Sequence, residues 1–231
     1  MTEMLLNGLR YLLTLLFGVA VSAAFLDVAP TRKNIVILSV FSALDFIVQC
    51  ILFLLQSDSV TYAYYPLVTH IPLVLLFTLA CKCRLVPSVL AVLTAYLCCQ
   101  ISNWISTIPK TFHCPDWSVD ITYIIVLIII FPLVWKYVAS PIAKLLSMSK
   151  PASSLISFAV VPVSYYIFDY VSTVYTKLLY AGNYITVEFP PFLLSISYLI
   201  FCAIYFKQYE EKQEAENHHR FMKLKQEQSE R

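Results

Sequence analysis

The chain has 231 residues, of which 59% are hydrophobic and 13% charged, and its mean hydropathy is +0.74. That composition excludes an ordinary soluble domain, since no soluble core of this size hides so much apolar surface. A net charge of +2 is too small to imply a nucleic-acid partner, so the information lies in where the charges fall.

Leu5 to Leu26 is the first apolar run, interrupted by Arg10. A signal peptide is the competing reading, because Ala20, Ser22, Ala23 and Ala24 lie near its end. The run is long, basic residues do not precede it and further spans follow directly, so a retained helix is expected. Asn34 to Leu55 is the second span. Leu67 to Ala80 is the third; it is short and carries Pro72, so its start is sought nearer Tyr62. The fourth covers Val86 to Ile108, the fifth Ile121 to Val138, the sixth Ser154 to Tyr175 and the seventh Phe192 to Phe206. About twenty apolar residues cross a bilayer as a helix, so an all-α polytopic membrane bundle of about seven transmembrane helices is expected.

Basic residues orient the bundle. With the N-terminus outside, Arg32, Lys33, Lys82, Arg84, Lys136, Lys144 and Lys150 fall in the cytoplasm. Lys110, Lys177 and the membrane-edge Arg10 stay outside. The excess inside predicts N-out, C-in. Ser140 to Lys150, with Pro141, Ile142, Leu145, Leu146 and Met148 among lysines, reads as an amphipathic segment along the inner surface. The outer connections are too short to fold as domains. Tyr62, Tyr64, Tyr65, Trp104, Trp117, Tyr180 and Tyr184 gather near the outer boundary and read as an aromatic belt in preference to a ligand cage.

Polar residues within the spans say more, because each is costly in hydrocarbon and needs a partner or a cavity. Asp45 lies mid-span, and Gln49 one turn further out on the same face. His70, Gln100 with Asn103, and Asp169 fall in the outer halves of their spans. These six are the candidate ligand-binding residues, arranged as around an outward-opening vestibule. The alternative is that they are interhelical hydrogen bonds that fix packing. Asp45 is the leading candidate for a switching role.

Seven cysteines invite a metal or redox reading. No second CxxC or His pair supplies the remaining ligands, so no metal and no cofactor is expected, and most read as small apolar packing. Cys114, beside His113, is the one expected to be exposed. His70 with Cys81 suggests a peptide-processing cysteine protease, but Ile71-Pro72 stands where that pattern has glycines, and there is no HExxH, GxGD or phosphate loop. Three glycines in the whole chain argue against a broken-helix carrier.

The seventh span passes directly into Lys207-Gln208-Tyr209-Glu210-Glu211-Lys212 and on through a tail with six basic and six acidic residues, Lys207 to Arg231. Without Gly or Pro, and with pairs such as Glu216 to Arg220, the tail reads as a water-exposed helix. Ala215, Phe221, Met222 and Leu224 do not sustain a heptad seam, so it is a marginal coiled coil. His218 and His219 lack an adjoining acidic residue and are not read as phosphoacceptors.

Short-looped spans that end in Tyr205-Phe206-Lys207-Gln208-Tyr209-Glu210-Glu211-Lys212 and a Gln/Glu/Lys/Arg helix resemble the sensor half of bacterial GHKL-type histidine kinases, including the Agr-like quorum-peptide receptors. The resemblance implies a transmembrane sensor domain over 1–206 and a cytoplasmic signalling helix over 207–231. It also implies a homodimer through that helix, the lipid bilayer as environment and a secreted peptide as a candidate ligand. The family's HD-type phosphoacceptor helix and its ATP-binding asparagine and glycine boxes do not follow, so the chain as given is not expected to be an enzyme. The leading expectation is a two-component sensor that relays a ligand signal through its last span. The alternative is a small transporter or permease subunit that uses Asp45, Asp169 and His70 for ion coupling.

Overall fold

The computed structural model describes residues 2–55, 65–147, 158–167 and 184–229, and every element among them is helical. The helices are α1 (Thr2–Phe25), α2 (Arg32–Leu55), α3 (Ile71–Leu79), α4 (Leu85–Ser106) and the single turn α5 (Ile108–Thr111). They continue with α6 (Trp117–Leu133), α7 (Ala139–Ser147), α8 (Phe158–Ile167) and α9 (Tyr184–Ser229). Among the described residues, α1, α2, α4, the α6–α7 rod and α9 are each long and apolar enough to cross a membrane, while the helices over Leu67–Leu79 and Phe158–Ile167 are shorter. The chain is therefore an all-α protein built for a lipid environment. Of the sixth expected span, only Phe158–Ile167 is described; both its ends, and Asp169 with them, lie outside the described residues.

Two π-helical turns, Pro66–His70 before α3 and Val134–Val138 after α6, sit beside prolines. Pro72 at the start of α3 and Pro141 at the start of α7 each lack an N–H and crowd the carbonyl one turn earlier, which lies within the π turn. The ladder re-forms by widening for one turn. Helix exits show the shortage of glycine. Asp27, Lys82 and His113 hold the left-handed conformation, with φ of 52°, 58° and 54°. Beyond each, an amide reaches back into the last turn: Val28 to Ala23 at 3.0 Å, Cys83 to Phe77 at 3.0 Å, Cys114 to Pro109 at 3.1 Å. Satisfying those carbonyls offsets the roughly 1–2 kcal/mol that a side chain costs there. The start of α2 is better provided, because Thr31 Oγ1 accepts from the Asn34 amide at 3.2 Å.

The connections between α1 and α2 and between α3 and α4 are short, which sets each pair antiparallel. α4 is the central helix, packing against α1, α6 and α9. About two-thirds of its apolar window is inside the bundle, against about a sixth for α2. Gly18 on α1 faces the Tyr96 ring so closely that a Cβ there would collide with it, so this contact requires glycine. A second cluster joins Leu97 of α4, Leu145 of α7, Phe158 and Tyr165 of α8, and Tyr198 and Cys202 of α9. Tyr198 donates to the Phe158 carbonyl at 3.0 Å, pinning α9 to α8.

One expectation is corrected. Ala139–Ser147 is amphipathic, but it does not lie along the surface as a separate segment. It continues the α6 rod, and Ala139, Ile142, Leu145 and Leu146 are buried within the bundle. Because the helix continues from α6 through the π turn without a break, protein covers its apolar stripe.

α9 runs without a break from Tyr184 to Ser229, about 69 Å at 1.5 Å per residue. Lys144 Nζ meets Glu210 Oε1 at 2.9 Å on the polar side of the seam. From Glu211 to Gln226 every described side chain except Gln213 is exposed, so the distal stalk stands clear of the bundle.

Candidate functional site

The polar residues inside the bundle form two networks. The first joins α1, α4 and α6. Arg10 donates from one guanidinium nitrogen to Asp120 Oδ1 at 2.9 Å and from the other to Asn103 Oδ1 at 3.1 Å. Asn103 Nδ2 in turn donates to Gln100 Oε1 at 2.9 Å. The guanidinium carbon lies 4.3 Å from the centre of the Tyr123 ring, a cation–π contact. Thr14 Oγ1 is 2.9 Å from the Tyr123 hydroxyl. Every charge here has a counter-charge, and the network closes the end of the bundle where α1 and α6 begin and α4 finishes.

The second network is buried between α2 and the first π turn. Gln49 Nε2 donates to Asp45 Oδ2 at 2.7 Å and to Thr69 Oγ1 at 2.8 Å, and Thr69 Oγ1 donates to the same Asp45 oxygen at 3.0 Å. Asp45 and Gln49 are one turn apart on α2, and the widened turn brings Thr69 across to them. No cation pairs with Asp45 among the described residues. Gln49 turns its amide nitrogen to the carboxylate, and its Oε1 is buried without a hydrogen-bond partner among the described residues.

His70 follows Thr69 and is also buried. Its ring lies 4.3 Å from Tyr96, 5.1 Å from Tyr166 and 5.4 Å from Tyr65, centre to centre. Neither ring nitrogen has a partner among the described residues. Leaving a buried polar atom unpaired costs about 1–3 kcal/mol, and Gln49 on α2, His70 on the π turn and Tyr96 on α4 each carry such an atom. Beside this network, α1 and α2 part to leave an apolar cleft of about 410 Å³, with Gln49 in its wall.

The structure thus brings Asp45, Gln49 and His70 together on one side and Gln100 with Asn103 on the other. The expected outer aromatic belt is partly internal, for Trp104 stacks on Phe192 of α9 at 4.4 Å. Sequence reasoning missed Asp120 and Thr69. A charged Arg10 within an apolar run demands an anion at similar depth, and Asp120, at the start of the fifth expected span, was the available one. Thr69 carried no comparable signal.

All seven cysteines are free, with Cys114 exposed. His70 and Cys81 stand at opposite ends of α3, about 15 Å apart along the helix, and do not form a nucleophile–base pair. Burial pushes the Cys81 and Cys83 thiols above their ordinary range, away from reactive thiolates. No three His, Cys, Asp or Glu side chains come together as a metal-binding group among the described residues. Comparison with known proteins adds no relative: no family model matches the chain, and no curated protein or solved structure matches it.

Proposed function

We propose that the chain is the sensor module of a bacterial two-component receptor, with about seven transmembrane helices, the N-terminus outside and the stalk in the cytoplasm, dimeric through that stalk. The observation that carries the reading is the continuity of α9. The same helix is gripped inside the bundle at Tyr198 and Cys202 and is exposed beyond Glu211. A small rotation at Cys202 is delivered about 40 Å away at Ser229 by helix stiffness alone. The Asp45–Gln49–Thr69 network and the His70 box, short of hydrogen-bond partners, are the region whose packing a ligand would change. Moving such an equilibrium from 1:99 to 99:1 takes about 5.5 kcal/mol of preference for one state.

The test is a spin label at Ala215→Cys in a Cys114→Ser background, with inter-stalk distances measured in nanodiscs with and without conditioned culture medium. A distance change that Lys207→Pro abolishes supports the receptor. Stalks that never pair, or a distance indifferent to any supernatant, overturn it. A second reading, a small ion-coupled transporter, is favoured by one observation, the buried Asp45 without a paired cation among the described residues. Solute flux in proteoliposomes that Asp45→Asn abolishes would select it.

A further inference from the structure

We infer that the end of the bundle formed by the α1–α2 and α3–α4 connections is a binding surface for anionic phospholipids, whose headgroup phosphates meet Arg32, Lys33, Lys82 and Arg84. All four side chains are exposed, and none forms an ion pair among the described residues. One carboxylate, Asp27, shares these connections and is likewise without an ion pair, so positive charge is in excess. The two connections are neighbours. Val28 from one and Cys81 and Cys83 from the other pack against the same hydrophobic cluster. Burial pushes the Cys81 thiol up and the Lys33 ammonium draws it back down, which requires that ammonium to stand within electrostatic reach of the α3–α4 turn. Like charges held together repel, and an anion settling among them relieves the repulsion. What selects a lipid over a soluble anion is the chain on either side. Ile35 and Val36 follow Lys33 into α2, Leu79 precedes Lys82 and Leu85 follows Arg84, and these four side chains are 52% to 75% exposed. Cations therefore border an apolar wall within a few residues, matching the charged head and apolar chains of a phospholipid. A free phosphate would meet the charges and gain nothing from the wall. The opposite end of the bundle differs, because Arg10 there is already answered by Asp120 at 2.9 Å.

The surface needs a bilayer, and neither the receptor reading nor its orientation. The test uses the full chain in nanodiscs of phosphatidylcholine with a trace of either phosphatidylglycerol or phosphatidylcholine spin-labelled on an acyl chain. Electron paramagnetic resonance reads the fraction of each probe held at the protein. We expect the anionic probe to be preferred about fivefold at low ionic strength, falling toward parity in about 1 M salt. Replacing all four cations with Gln should bring the preference close to parity. Lys82→Gly guards against misfolding, because Lys82 holds a φ of 58° that glycine adopts more readily. That variant should lower the preference about twofold, and Lys223→Gln, on the exposed stalk, should leave it unchanged. A preference that survives the four-residue variant, or that Lys136→Gln removes as completely, reports general surface charge and overturns the surface. Equal binding of the two probes overturns it as well, and so does a Lys82→Gly protein that binds like the parent. Displacement of the anionic probe by inorganic phosphate, or by a hexaglutamate peptide, at constant ionic strength would assign the cluster to a soluble partner and overturn the lipid as its occupant.

Discussion

Arg10 and Asp45 are both charged residues inside apolar helices, and the bundle treats them in opposite ways. Arg10 meets a carboxylate, an amide oxygen and an aromatic face, and three helices converge on it. Asp45 meets two neutral donors and no cation among the described residues, beside a glutamine oxygen and an imidazole with bonding capacity to spare. A network in which every group is answered can only hold its helices in place, since any motion costs it contacts. A network with unanswered groups has something to gain from a newcomer. That difference, more than depth or burial, makes the Asp45 side the candidate site and the Arg10 side the structural joint.

The contrast can be broken most forcefully at Arg10. Arg10→Met strands the partly buried Asp120 and should lower unfolding free energy by about 3 kcal/mol, read by steric trapping in bicelles. Adding Asp120→Leu should restore most of it, because the penalty lies in the abandoned charge. If the single variant is as stable as the parent, the joint is not a joint. Asp45→Asn keeps the shape and an acceptor, so its stability should change by under about 1 kcal/mol, while the stalk distance stops responding. A response that survives intact would make this network mere packing and erase the distinction. The smallest effect belongs to a pair outside both networks. Lys144 and Glu210 are 58% and 47% exposed, so Lys144→Ala should cost at most about 1 kcal/mol and nothing at high ionic strength. A larger loss would show that the joint extends to the stalk.

The sequence made the helices legible because hydrocarbon imposes one simple demand, a long apolar run. The expected Asn34–Leu55 and Val86–Ile108 spans fall within about two residues of α2 and α4. The third expected span did not disclose that its first residues form a π turn, since that depends on how Pro72 perturbs the ladder. Periodicity gave Ala139–Ser147 an apolar face and not the identity of what covers it. Asp45 and Gln49 were legible as neighbours because one turn of helix separates them. Arg10 and Asp120, 110 positions apart, meet only because α1 and α6 present particular faces to each other, and no local pattern encodes that choice.

The α6–α7 rod, Trp117–Ser147, has 31 residues and measures about 46 Å, half as long again as the roughly 30 Å hydrocarbon slab. The rod is therefore longer than the slab is thick, and at its far end Leu145 and Lys144 lie against α9. In the orientation proposed above, the stalk would leave the membrane beside protein and not beside lipid alone.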